Sequence, residues 1–168
     1  MNIRPEQQGD ETAISQLTTR AFDDAPHASG TEAAIVEQLR ADGDLTISLV
    51  VSDGDRLIGH IAFSPVTIIR TANDRDDGWF GLGPVSVLPG RQGEGVGSAL
   101  VREGLKRLEA KGAKGCVLLG DPAFYARFGF RGDGGLSYGE APRPYVQWLG
   151  FNGESPVGDV KYRPGFDV

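Results

Sequence analysis

The first apolar pattern along the chain has the period of an α-helix. Ile14, Leu17 and Ala21 lie three or four residues apart, which places them on one helical face. Asp10 precedes them, and a carboxylate in that position can accept a hydrogen bond from the free N–H groups of the first turn. The pattern therefore predicts a helix over about residues 10–22.

A second amphipathic helix is predicted after residues 24–26. Its apolar face consists of Ile35, Val36 and Leu39. Ser29 and Glu32 have the spacing of a capping box ahead of that face. Gly43 follows it and offers the left-handed backbone at which helices commonly end. The N-terminal quarter of the chain is therefore expected to be helical.

The next apolar residues form short runs that are typical of strands. Residues 46–51 and 57–63 are two such runs, and the Asp53-Gly54 pair between them is typical of a tight turn. We therefore predict an antiparallel hairpin. A polar loop is expected after it, over residues 72–78.

Residues 79–87 form a further apolar run that contains proline and glycine. Pro84 has no N–H group for a sheet ladder, and Gly81 and Gly83 lie beside it. Proline and glycine within a strand indicate a bulge, or a point where the strand parts from its neighbour. The sheet is therefore expected to be interrupted near Pro84.

A glycine-rich turn follows this strand and leads into a long helical pattern. The turn covers residues 90–97, and the apolar positions after it continue to Leu108 at helical spacing. The first N–H groups of a helix lack internal partners and lie at the positive end of its dipole, so such a turn can bind phosphate. The alternative is a tight turn without a ligand.

The spacing of the glycines narrows the choice of ligand. Gly90 and Gly95 have the spacing of a Walker A loop, but Val96 and Gly97 stand where that loop needs Lys and Ser/Thr, so this ATP site is excluded. The dinucleotide fingerprint also fails at its last position. Asp121, at the end of the next strand, keeps a nicotinamide-dinucleotide enzyme as a rival.

Two segments carry a family resemblance. Gln92-Gly93-Glu94-Gly95-Val96-Gly97 resembles the pyrophosphate-binding loop of GNAT (GCN5-related N-acetyltransferase) proteins, and residues 85–89 resemble the strand before that loop. Residues 120–130 resemble the later segment in which a short helix carries a tyrosine and ends in Gly-Phe, as in the YhbS-like branch. The resemblance covers about residues 1–130 and is loose beyond Gly132.

The resemblance implies an α/β fold of mixed type. In this GNAT-like acyl-CoA N-acyltransferase fold, a central mixed sheet with a bulged strand is flanked by helices. Residues 1–168 would form a single domain, with a CoA-binding core over about 79–130. The tail predicts two strands within about 144–163, at residues 145–151 and 157–162.

The resemblance also implies site residues. The pantetheine arm of acetyl-CoA would lie along the strand and the pyrophosphate would lie on the loop, with these contacts: Val85, Ser86, Val87, Arg91, Gln92, Gly93, Gly95, Val96, Gly97 and Ser98. Tyr125 matches the family's general-acid position. Tyrosine suits this role, because with a pKa near 10 it keeps its proton at neutral pH and can donate it to the leaving sulfur. A packed aromatic side chain is the alternative for Tyr125, and a solvated surface charge is the alternative for Arg91. Asp121, where the family often has Asn, would cap the short helix or contact the cofactor.

The general base and the acceptor site are not assigned from the sequence. His60 lies among apolar strand residues, which favours a packed, hydrogen-bonded role over catalysis. His27 is expected in a solvated loop. The carboxylates considered as a base are Glu32, Asp76, Asp77 and Glu140. Tyr138, Tyr145 and Trp148 could line an acceptor pocket, pack in the core or contact a second subunit.

Composition limits the other classes of function. With 168 residues and a net charge of −6, the chain has no basic field for nucleic acid or anionic lipid. Cys116 is its sole cysteine, so no disulfide framework forms within the chain, and no metal-ligand spacing occurs. No apolar run approaches the roughly 20 residues that cross a bilayer. We expect a cytoplasmic protein that binds neither metal, membrane nor nucleic acid, and a homodimer is left open.

The function that the resemblance implies is acetyl transfer. Such a protein would move an acetyl group from acetyl-CoA to a primary amine of a small molecule or peptide, by direct attack on the thioester. A non-catalytic acyl-CoA-binding or sensing module would share the loop and lack the chemistry. The dinucleotide-binding enzyme is the other rival.

Overall fold

Three long helices and several single turns make up the helical part of the protein. The computed structural model describes residues 1–23, 25–26 and 28–168, so the predicted loop position of His27 lies outside the described residues. The helices are α1 (Glu11–Phe22), α2 (Glu32–Ala41), α3 (Val96–Ala110) and the short α4 (Pro122–Tyr125). Single 3₁₀ turns cover Ala126–Phe128, Arg143–Tyr145 and Pro164–Asp167.

The strands form one mixed sheet. They are β1 (Asn2–Pro5), β2 (Ile47–Asp53), β3 (Arg56–Thr71), β4 (Asp74–Val87), β5 (Gly115–Leu119), β6 (Gly135–Ser137), β7 (Val146–Gly150) and β8 (Val157–Tyr162). Within the described ranges the sheet has eight strands, with the order β1-β2-β3-β4-β5-β7, while β8 pairs with β3 and β6. The β4–β5 and β6–β8 pairs are parallel, whereas β1–β2, β2–β3, β3–β8 and β5–β7 are antiparallel. The expected mixed α/β fold class is confirmed.

The chain packs as two compact units made of discontinuous segments. The first unit comprises Met1–Ser64, Gly83–Gly104 and Pro164–Val168, and the second comprises Pro65–Leu82 and Leu105–Arg163. Strands β3 and β4 and helix α3 each contribute residues to both units. The single domain expected for residues 1–168 stays a prediction.

In the first unit, helices cover both faces of the β2–β3 hairpin. One apolar cluster joins α1 and α2 to this hairpin through Ile14, Val36, Val50 and Ala62. The other face meets α3 at two glycines, since a Cβ at Gly59 would lie 2.6 Å from Val96 Cγ1 and one at Gly104 would lie 2.2 Å from Phe63 Cε1. Alternation of side chains along β2 and β3 separates these two faces.

In the second unit, a separate core surrounds the parallel β4–β5 pair. Its buried members are Val66, Ile68, Trp79, Val117, Leu136, Val146, Trp148 and Val160. Tyr138 and Tyr162 pack against this cluster and are only half buried. Close packing at Gly115 forbids any side chain, because a Cβ there would lie 2.2 Å from the backbone oxygen of Leu149.

The predicted helices and the first hairpin are confirmed, with differences at the helix starts. Asp10 directly precedes α1, but its carboxylate forms an ion pair with Arg4 at 2.7 Å and, in the described part of the chain, makes no capping bond to α1. Helix α2 begins at Glu32 with Thr31 as its N-cap, and the Glu32 carboxylate accepts a hydrogen bond from Ser29 N at 2.8 Å. Gly43 has the expected left-handed backbone, with φ +76°.

The loop predicted over residues 72–78 is wrong, because β4 already begins at Asp74. Asp76 is buried in this strand, where its carboxylate accepts a hydrogen bond from Lys114 Nζ at 2.7 Å and lies 3.6 Å from Arg70. Ion pairs thus stabilise polar residues that resembled a loop. The short strands β1 and β6 were not predicted, and both tail strands form as expected.

Candidate active site

The loop that joins β4 to α3 contains glycines in a conformation that other residues rarely adopt. Gly93 has φ +81° and Gly95 has φ +87°, both in the left-handed region. Among the described residues, no heavy atom lies within 4 Å of a Cβ built at either position. Both positions therefore face open space. Gly97 differs, because a Cβ there would be in ordinary contact with Val87 Cγ2 at 3.6 Å.

The N-terminus of α3 follows directly on this glycine turn. The oxygen of Gly95 accepts a hydrogen bond from Ala99 N at 3.0 Å, so the helical bonds begin there. The N–H groups of Val96, Gly97 and Ser98 therefore have no acceptor within the helix. The first turn of α3 carries no acidic residue. This end of the helix has the geometry and charge to hold an anion.

Arg91 connects the loop to the end of β2 through an ion pair. Its Nη1 lies 2.8 Å from a carboxylate oxygen of Asp53, and its Nε lies 3.0 Å from one of Glu94. These hydrogen bonds, led by that of Asp53, raise the pKa of Arg91. Gln92 Nε2 lies 3.4 Å from the backbone oxygen of Val87. Two carboxylates therefore compensate much of the charge of Arg91, and its contact with the pyrophosphate stays a prediction.

The strand residues before the loop differ in how far their side chains are buried. Val85 and Val87 are half buried, whereas Ser86 is buried and its hydroxyl bonds to that of Thr18 at 3.3 Å. Val96, at the start of α3, is also buried. Ser86 and Val96 therefore offer only their backbone to a ligand.

Pairing between β4 and β5 ends before Pro84. The parallel register joins Trp79 to Gly115, Phe80 to Cys116 and Gly81 to Val117, and no later pair occurs in the described ladder. Gly83 has φ +134° and precedes the cis peptide to Pro84. The β4 residues after Gly81 therefore have an edge without a β5 partner, as the proline and glycines predicted.

Tyr125 ends the short helix α4, which follows β5. The Asp121 carboxylate accepts a hydrogen bond from Ala123 N at 2.9 Å and so caps α4, while the cofactor contact considered for Asp121 stays a prediction. The Tyr125 ring packs on Gly120, where a Cβ would lie 2.6 Å from Cε2, and edge-on to Phe124 at 4.9 Å. Burial raises the pKa of Tyr125 to about 12, so its hydroxyl keeps its proton at neutral pH.

His60 belongs to a buried polar network in the first unit. The Ser48 hydroxyl donates to Glu6 at 2.6 Å and so accepts from His60 Nε2, which lies 2.8 Å away. Glu6 also accepts from Arg40 Nε at 2.7 Å. Burial, above all, lowers the pKa of His60 to about 4. His60 is thus the packed, hydrogen-bonded residue that the sequence favoured.

This network predicts a loss of stability in weak acid. His60 is neutral when folded and binds a proton below about pH 6.5 when unfolded, so stability is lost as the pH falls from 6.5 toward 4. Between pH 7 and 5.5 we expect the free energy of unfolding to drop by about 1 kcal/mol from this group. His60→Gln, which keeps an N–H donor for Ser48, should lose that drop in urea unfolding at both pH values. Equal pH dependence in the two proteins would contradict the role given to His60.

Most of the other residues considered for catalysis form hydrogen bonds with neighbouring residues. Burial opposes ionisation of Glu32, but hydrogen bonds from Ser29 and Gly30 lower its pKa overall. Asp77 accepts from the Thr67 hydroxyl at 2.9 Å, and Glu140 is exposed. The three aromatic residues of the suggested acceptor pocket differ in exposure: Trp148 is buried, Tyr138 is half buried and Tyr145 is 46% exposed.

Neither a metal-binding cluster nor a membrane-spanning helix occurs in the described ranges. No group of three or more His, Cys, Asp or Glu residues there could hold a metal ion. Among the same residues, no helix is both long and apolar enough to cross a membrane. Cys116 is buried, which raises the pKa of its thiol.

Comparison with known proteins identifies the family. The model of the GNAT acetyltransferase domain matches residues 2–132. The chain belongs to the GNAT acetyltransferase family. It is 41% identical over 131 residues to YhbS of Escherichia coli K12, named an uncharacterized N-acetyltransferase, and the match covers 77% of this chain and 73% of YhbS. YjhQ of the same organism, also named an uncharacterized N-acetyltransferase, is 32% identical, covering 81% and 71% of the two chains.

Solved structures of GNAT proteins resemble this one over nearly its whole length. A GNAT acetyltransferase from Brucella melitensis in complex with acetyl-CoA is 46% identical, with a TM-score of 0.85 and coverage of 99% of this chain and 97% of that one. Escherichia coli YhbS in complex with CoA is 34% identical, with a TM-score of 0.86 and coverage of 99% and 92%. The GNAT fold that the sequence resemblance implied is confirmed, and acetyl-CoA or CoA is the ligand of these GNAT relatives.

Proposed function

We propose that this GNAT protein transfers the acetyl group of acetyl-CoA to a primary amine. The observation that carries the proposal is the open, left-handed glycine turn at the N-terminus of α3, in a chain 46% identical to a protein crystallised with acetyl-CoA. Membership of the acyltransferase family argues against the dinucleotide-binding alternative.

The loop and the strand before it would hold the cosubstrate. The amides of residues 92–98 would donate to the pyrophosphate, because helix N-termini and glycine backbones favour anions. Backbone groups of Val85 and Val87 would bind the pantetheine amides as an added strand does. Support comes from the edge of β4 that lacks a β5 partner beyond Gly81. Arg91 would act on binding mainly by holding the loop.

Tyr125 would supply the proton for the leaving group. A neutral amine attacks the thioester carbonyl, the C–N bond forms and the C–S bond breaks, and the Tyr125 hydroxyl donates its proton to the sulfur. The nitrogen of the attacking amine loses a proton to solvent, and the Tyr125 phenolate takes up a proton from solvent. Support comes from the proton that Tyr125 retains at neutral pH, since burial raises its pKa to about 12. No side chain is assigned as general base.

The acceptor is proposed to be a primary amine of a small molecule or peptide. Amine attack is the chemistry of the family, and the net charge of −6 is compatible with a cationic acceptor. The cytoplasmic location and the homodimer left open by the sequence stay predictions.

Turnover with a panel of amines tests this function. The purified protein is incubated with acetyl-CoA and small amines, aminoglycosides, polyamines or peptides, and free CoA thiol is measured. We expect at least one amine to raise thiol release well above the rate with acetyl-CoA alone. Tight binding of acetyl-CoA without amine-dependent release would instead indicate an acyl-CoA-binding module.

A further inference from the structure

A cleft of about 480 Å³ lies between helix α1 and one end of the sheet. Residues of α1 between positions 13 and 20 line one side, and residues 55–57, around the start of β3, line the other together with Leu88. All of them belong to the first compact unit. Small-molecule sites commonly have volumes of about 300–1,000 Å³, so the cleft is large enough for a nucleoside.

Apolar and polar side chains both line this cleft. Leu17 and Leu88 are buried and form its apolar part. Gln16 and Thr19 of α1 and Asp55 of the β2–β3 turn are exposed and offer hydrogen-bond donors and acceptors. Such a lining can pack against the faces of a purine ring and hydrogen-bond to its edges.

Two arginines give the cleft its positive charge. Arg20 and Arg56 are exposed, and neither forms an ion pair with another described residue. Asp55 offsets part of their charge. The planar guanidinium group of arginine can donate two parallel hydrogen bonds to a phosphate. In a protein with a net charge of −6, two arginines without carboxylate partners favour an anionic ligand at this place.

The cleft and the glycine loop meet at the end of the β2–β3 hairpin. Arg56 is the register partner of Asp53, whose carboxylate accepts a hydrogen bond from Arg91 Nη1 at 2.8 Å. The backbone oxygen of Leu88, which lines the cleft, accepts a hydrogen bond from Arg91 N at 2.9 Å. Arg91 therefore joins the start of the loop to both sides of this end of the cleft.

We infer that the cleft binds the 3′-phosphorylated adenosine of acetyl-CoA. The inference rests on the proposed function, because it takes acetyl-CoA as the cosubstrate. In that molecule the ribose carries the pyrophosphate, the adenine and the 3′-phosphate, so the second phosphate site must lie one sugar away from the first. With the pyrophosphate on the glycine loop, Arg20 and Arg56 donate to the 3′-phosphate, and the apolar part of the cleft packs against the adenine.

The wild-type protein should distinguish CoA from 3′-dephospho-CoA, which lacks only this phosphate. We expect CoA to bind at least about fivefold more tightly at low salt, as for a favourable pair of exposed charges. The difference should shrink at high salt, because salt screens exposed charges. Isothermal calorimetry with the two ligands measures this without an acceptor. Equal affinities at low salt would overturn the inference, whatever the variants do.

Substitution of both arginines locates this selection in the cleft. The double variant Arg20→Gln and Arg56→Gln keeps two polar side chains and removes both charges. Its affinities for CoA and 3′-dephospho-CoA should lie within about twofold of each other, because CoA binds more weakly. Arg75→Gln removes an exposed arginine of the second unit and should keep the wild-type ratio. Affinity for 3′-dephospho-CoA should stay within about twofold in both variants and reports whether each is folded.

The outcomes separate this inference from the proposed function. An unchanged ratio in a double variant that binds 3′-dephospho-CoA normally would overturn the role of the cleft and leave acetyl transfer intact. Wild-type protein that prefers CoA to 3′-dephospho-CoA but transfers acetyl to no amine would overturn the proposed function, while the ratio of affinities still decides the role of Arg20 and Arg56.

Discussion

Replacing Tyr125 by phenylalanine should lower kcat by about 100 to 10,000-fold, the usual contribution of a general acid. The substitution keeps the ring and its contact with Gly120 and removes only the hydroxyl. Because a thiolate is itself a fair leaving group, we expect the smaller end of this range. Acetyl-CoA affinity and stability should change little. The measurement is kcat with a good acceptor, under conditions where chemistry limits turnover.

Tyr145→Phe is the matched control, because Tyr145 lies in the same unit and is 46% exposed. Its kcat should stay nearly unchanged, because even a hydroxyl that lined an acceptor pocket would act mainly on KM. In the wild type, the acid form of Tyr125 should persist across the neutral range and be lost only as the pH rises toward about 12. A folded Tyr125→Phe variant that loses less than about threefold in kcat would remove Tyr125 as the acid, and water or another hydroxyl would supply the proton.

Gly95→Asp should weaken acetyl-CoA binding by more than tenfold, or above about 1.4 kcal/mol. The substitution places a negative side chain in the open space beside the N-terminus of α3, where the pyrophosphate is proposed to bind. Two negative groups would then compete for the same helix end. Calorimetry with acetyl-CoA measures the loss.

Gly95→Asn separates charge from backbone strain. Position 95 has φ +87°, which asparagine and aspartate tolerate better than other side chains do. Both variants therefore share the strain and the added bulk, and they differ mainly in charge. We expect the Asn variant to bind acetyl-CoA more tightly than the Asp variant, with a gap that shrinks at high salt. Equal affinities in two folded variants would argue that no phosphate lies at this loop.

Local patterns predicted much of the fold, and contacts distant in sequence explain the errors. Helices α1 and α2 and the β2–β3 hairpin follow from periodicity and turn residues, which lie within a few positions of each other. Strand β4 starts among polar residues, and its buried Asp76 is paired with Lys114, which is 38 residues away. Strands β1 and β6 have four and three residues, too few to show an alternating pattern.

In the candidate site, too, local motifs could be predicted and contacts between distant residues could not. The glycine loop and Tyr125 lie in continuous motifs, so the sequence alone could single them out. The pairing of Arg91 with Asp53 joins residues 38 apart, and no local pattern predicts it.

The fate of an isotope-labelled acetyl group tests the central claim most directly. Acetyl-CoA labelled in the acetyl carbons is incubated with the protein and the most active amine of the panel, and the products are separated and analysed by mass spectrometry and NMR. The account predicts free CoA and labelled acetyl on the amine nitrogen in equal amounts, with the signal strongly reduced in Tyr125→Phe. Labelled acetate without labelled amide, or intact acetyl-CoA that stays bound with every amine offered, would contradict it.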